Sequence, residues 1–144
     1  PKLYNLPALL NAADLALAED RTKLPELRAL LSSSDCGLRY WGIVGCFLLN
    51  DVESAEVAHN DESHEVRAMA AWLLINNEQQ AKGLEVLRAM LAEKSYATLK
   101  ILNIVDWIGA DAAPLLPLID SLKIDKYEAQ MQVLLREKSS ADAQ

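Results

Sequence analysis

The chain repeats itself. LRYWGIVGCFLL from Leu38, VRAMAAWLLI from Val66 and LKILNIVDWIG from Leu99 align at spacings of 28 and 33 residues. Each opens on an aliphatic residue and a cation: Arg39, Arg67 and Lys100. Further along, Val44, Trp72 and Val105 share a position, as do Phe47, Ile75 and Ile108. A second series precedes two of these stretches. LPELRALL (24–31) is like LEVLRAML (84–91), with Arg28 and Arg88 standing 11 and 12 residues before Arg39 and Lys100. A helix pair recurring about every 30 residues cannot bury its apolar face alone, so successive pairs must stack. The fold this predicts is all-α: an α-α superhelix of about four helix pairs plus a terminal capping helix.

Apolar residues recur at three- and four-residue spacing almost throughout, and nothing alternates with period two for long. The predicted helices are 3–18, 22–31, 36–49, 52–59, 64–76, 79–93, 96–109, 112–123 and 125–137. Short connections suit antiparallel neighbours. Residues 1–138 are expected to form a single repeat domain, and 139–144, with nothing to bury, a frayed tail. The sequence starts at Pro1 without a signal peptide, the expectation being an excised domain or a processed chain. No run approaches the ~18 apolar residues a membrane span requires, so no membrane partner is expected. With 14 basic against 21 acidic residues and a net charge of −7, no concentrated basic face exists for a phosphate backbone. Nucleic acid is excluded as a partner class.

The most chemical-looking stretch is CGLRYWGIVGCFLLN (36–50). On one helix, Cys36 and Cys46 stand about 15 Å apart along the axis, and a disulfide needs Cα atoms within roughly 7 Å. Neither a bridge between them nor joint metal ligation is available. Cys46 aligns with Leu74 and Trp107 and reads as a small core residue. Cys36, in the first turn, is either incidental or a reactive thiol. Gly42 and Gly45 weaken a helix, which predicts a neighbour packed closely there. HNDESHE (59–65) holds two histidines among acids and could ligate metal. Its plainer reading is a polar loop in which Ser63 caps the next helix, Glu65 sits in the first turn and His64 takes the first helical position. Asn103 and Asp106 replace small or apolar residues of the other repeats, so they should join a structural hydrogen-bond network or contact a ligand. Trp41, Trp72 and Trp107 are expected to pack in the core. No nucleophile–base set, phosphate loop or paired-carboxylate motif is present, so no catalytic residue, metal ligand or cofactor site is assigned to this chain.

Two resemblances follow from these residues. Asp61, six residues before Arg67, resembles the HEAT repeat, in which such an Asp and Arg link neighbouring repeats; Ser33 stands where that Asp would precede Arg39. On this resemblance Arg39, Asp61, Arg67, Lys100, Asn103 and Asp106 are inter-repeat structural residues. More specifically, LRYWGIVGCFLL resembles the RYWG-type helix of the C-terminal HEAT-like extension of some bacterial sulfatases (the arylsulfatase and N-sulfoglucosamine sulfohydrolase-like family). LNIVDWIGADAAPLLP (102–117) is similar to that extension's L-N-x-x-D-x-x-G-x-x-A-x-P-x-L-P pattern, except that Ala112 and Ala113 share the alanine position. DESHEVRAMAAWLL (61–74) resembles its D-x-S-P-x-V-R repeat, with His64 replacing proline. LPALLNAADLALAEDRTKLPELRALL is similar to the segment joining catalytic domain and repeats, so the resemblance covers about residues 3 to 137. Cys36-Gly37-Leu38-Arg39 echoes the C/S-x-P-S-R site that sulfatases convert to formylglycine, but Pro and Ser are absent.

The resemblance implies a non-catalytic repeat domain of an exported, periplasmic or secreted sulfatase acting on sulfated carbohydrate. Calcium and formylglycine would belong to the parent's catalytic domain. The implied partner is that catalytic domain, docked on 3–18 and 22–31; another protein or a second protomer is the other option. The alternative is a free-standing HEAT-type protein-binding scaffold. In either case the acidic surface should repel sulfated polyanions within a Debye length of roughly 8 Å.

Overall fold

The structure is a computed structural model that describes residues 4–93 and 98–122. Among the described residues all regular structure is helical. The order is α1 (Leu6–Leu17), α2 (Leu24–Leu30), α3 (Cys36–Leu48), α4 (Val52–Ala58), α5 (His64–Ile75), α6 (Gln80–Ala92), α7 (Thr98–Ile108) and α8 (Leu116–Ser121). Short 3-10 segments occupy Arg21–Lys23 and Gly109–Leu115. The all-α class is as expected. The helix expected over 125–137 and the tail 139–144 lie outside the described residues.

Side-chain caps set several of the starts. Asn5 accepts from the Ala8 N–H, Asp35 from Gly37 and Ser63 from Val66, relieving donors that a helix N-terminus leaves unpaired. Pro7 and Pro25 stand in the first turns of α1 and α2, where their missing N–H costs nothing. Prolines also explain a correction. The helix expected over 112–123 is instead a 3-10 segment followed by α8. Pro114 lacks the N–H that an α-helical bond needs, and Pro117 then opens α8.

α5 is the pivot, packing against α3, α4, α6 and α7. It buries Val66, Ala68, Met69, Ala70, Ala71, Leu73 and Leu74. Two cores meet on it. Ala68 and Ala71 belong to a cluster with Leu87, Met90, Leu91, Ile101, Ile104 and Leu115. Val66, Met69, Ala70, Leu73 and Leu74 belong to another with Ala16, Leu27, Ile43 and Cys46, and Trp72 flanks both. The alanines let helices approach from two sides at once.

Both α1 and α2 lie on α3. That approach explains its glycines: a Cβ at Gly42 would stand 3.0 Å from the Leu27 carbonyl oxygen, and one at Gly45 would run into the Leu27 side chain. The segment Thr98–Ser121 is long and apolar enough, by length and a mean hydropathy of 1.3, to cross a membrane. It is nevertheless broken at Gly109 and sets Ile101, Leu102, Ile104, Leu115 and Ile119 into the core shared with α5 and α6.

The cysteines separate as their helix positions dictate: Cys36 is exposed and Cys46 buried, both free. Burial pushes the Cys46 thiol up, against the opposing effect of the Ser54 hydroxyl. In the native protein, a colorimetric disulfide reagent should therefore titrate one thiol quickly, with the second appearing only on unfolding. Two fast thiols would contradict this packing.

Candidate functional site: polar rungs and an open tryptophan

Polar rungs join segments 22 to 31 residues apart in the chain. Arg39, 6% exposed, meets Asp61 side-on, with Nε donating to Oδ2 at 2.8 Å and Nη2 to Oδ1 at 3.0 Å. Its remaining nitrogen donates to the Ser33 carbonyl at 2.9 Å. Asp61 also accepts from the Ser63 N–H at 2.7 Å, so one carboxylate holds the rung and the turn into α5. The carboxylate makes the already basic Arg39 guanidinium harder still to deprotonate.

The next rung differs. Arg67 meets Glu93 end-on through both terminal nitrogens, at 2.9 and 2.8 Å, leaving its buried Nε–H without an acceptor. The reason is legible: Lys94, not an acid, stands six residues before Lys100. Glu93 supplies the carboxylate from one residue earlier and also accepts from His64 at 2.8 Å. Lys100, third in the register, places its ammonium 4.1 Å from the centroid of the Tyr40 ring.

Further rungs link α2, α4 and α6. Arg28 bonds Asp51 and, at 2.8 Å, Glu53, while Ser54 donates to Asp51. Lys82 pairs with Glu56. Beyond α6, Arg88 donates to the Pro114 carbonyl at 3.2 Å and Gln80 to that of Asp111 at 3.0 Å. Burial works to raise the Asp51 carboxyl, but the Arg28 and Ser54 hydrogen bonds outweigh it and hold it below the ordinary carboxylate range. Arg67 lowers Glu93 in the same direction.

Carboxyls depressed in the folded state take up protons more readily when unfolded. The stability they contribute is thus present above about pH 4 and is lost as the pH falls through the folded values. The unfolding temperature should drop below about pH 4, less steeply in Asp51→Asn. Superimposable pH profiles for the two proteins would contradict this.

The aromatic residues form a second feature. Phe47, Trp72 and Trp107, from α3, α5 and α7, stack in order with ring centroids 4.5 and 4.9 Å apart. The expectation that all three tryptophans pack in the core needs correction for Trp107, which is 62% exposed. It lies next to the helix end at Ile108, with Trp72 stacked on one face.

Asn103, one turn before Trp107 on α7, and Asp106, directly before it, are half-buried. Of the six residues expected between repeats, Arg39 bonds Asp61, Arg67 bonds Glu93 and Lys100 lies on Tyr40. His59 and His64 fall at the end of α4 and the start of α5. Among the described residues no group of three or more His, Cys, Asp or Glu side chains converges as a metal site would require. Asp51, Glu53, Glu56, Lys82 and Glu93 were not singled out from sequence. Their signal was present, since each stands 23 to 26 residues from an opposite charge on a periodic helix. Compared with protein-family models, curated proteins and solved structures, the chain matches none.

Proposed function

We propose that this chain is a short HEAT-like solenoid serving as the non-catalytic C-terminal repeat domain of an exported sulfatase. Its work is to pack against the catalytic domain, which carries the calcium and the formylglycine. The observation that carries the solenoid reading is the reach of the polar contacts. Among the described residues, the side-chain hydrogen bonds between residues distant in sequence span 22 to 31 positions, about one repeat. Nearest-neighbour contact of this kind is what stacked repeats produce. The Lys100–Tyr40 contact reaches further, joining α7 to α3 across 60 residues.

Docking through the N-terminal helices is supported by α1. Ala12 and Ala16 face inward, while Leu6, Leu10 and Leu17 are 60%, 55% and 60% exposed. Their spacing of four and seven residues draws one apolar stripe along the outer face. The sulfatase assignment itself rests on the RYWG-type helix and the Asn103–Pro117 pattern. A free-standing protein-binding scaffold is the second reading, and the open Trp107 is the feature that favours it.

The coding sequence immediately upstream of Pro1 tests the choice. An in-frame sulfatase catalytic domain with its C/S-x-P-S-R motif is expected. A start codon directly before Pro1, with no such domain encoded, would contradict the sulfatase reading and leave the scaffold.

A further inference from the structure

We draw no further inference here: the strongest candidate, the open indole of Trp107 at the end of the Phe47–Trp72–Trp107 stack, is a surface for which nothing among the described residues shows what covers it.

Discussion

Asp61→Ala is expected to destabilise the chain by about 3 kcal/mol, the low end of what removing one partner from a buried ion pair costs. Arg39 is 7% exposed at its side chain and would remain buried with its charge. What is left to it is the Ser33 carbonyl and Glu62, whose own side chain is 84% exposed and so gives a weak, screened pairing. The same deletion removes the acceptor for the Ser63 N–H at the entry to α5. Replacing both partners, Arg39→Met with Asp61→Leu, should recover much of the loss, since an apolar pair leaves no orphaned charge. Urea titration of the single and double variants measures this. A loss under about 1 kcal/mol for Asp61→Ala would place the rung among ordinary surface pairs.

Gly83→Val is expected to cost about 3 kcal/mol, the upper end for overpacking a well-filled interface. An added Cβ at Gly83 would stand 2.6 Å from the Ala71 carbonyl oxygen and 2.5 Å from Ile75 Cγ1. The Ile75 side chain can rotate away; the backbone of α5 cannot. Removing a glycine from a helix interior normally gains up to about 1 kcal/mol, so the backbone clash must exceed that gain for the prediction to hold. A Gly83→Val protein more resistant to urea than the parent would show that α5 and α6 are not in contact there.

These two residues mark what was legible in the sequence. Asp61 stood out because its six-residue offset from Arg67 and the repeat register give it a partner one repeat away. Gly42 and Gly45 stood out because two helix-weakening residues on one face imply a close neighbour. Gly83 carried no such signal, since a single glycine inside a helical pattern does not say which carbonyl lies opposite. Helix positions were readable from apolar spacing of three and four. The exception lay at 109–121, where Pro114 and Pro117 divide the expected helix and local chain chemistry overrides periodicity. The exposure of Trp107 was not readable. Its register matches Cys46 and Leu74, both fully buried, but Trp107 stands on the last described helix of its layer. Position within a repeat is periodic; position within the stack is not.

The central claim is that α3, α5 and α7 stand side by side in that order. Nuclear Overhauser contacts among the aromatic protons of Phe47, Trp72 and Trp107 test it directly, because the three residues lie on three helices far apart in sequence. Cross-peaks are predicted from Phe47 to Trp72 and from Trp72 to Trp107, with centroids 4.5 and 4.9 Å apart. A Trp72 ring with contacts to neither Phe47 nor Trp107 would contradict the stack, and with it the solenoid.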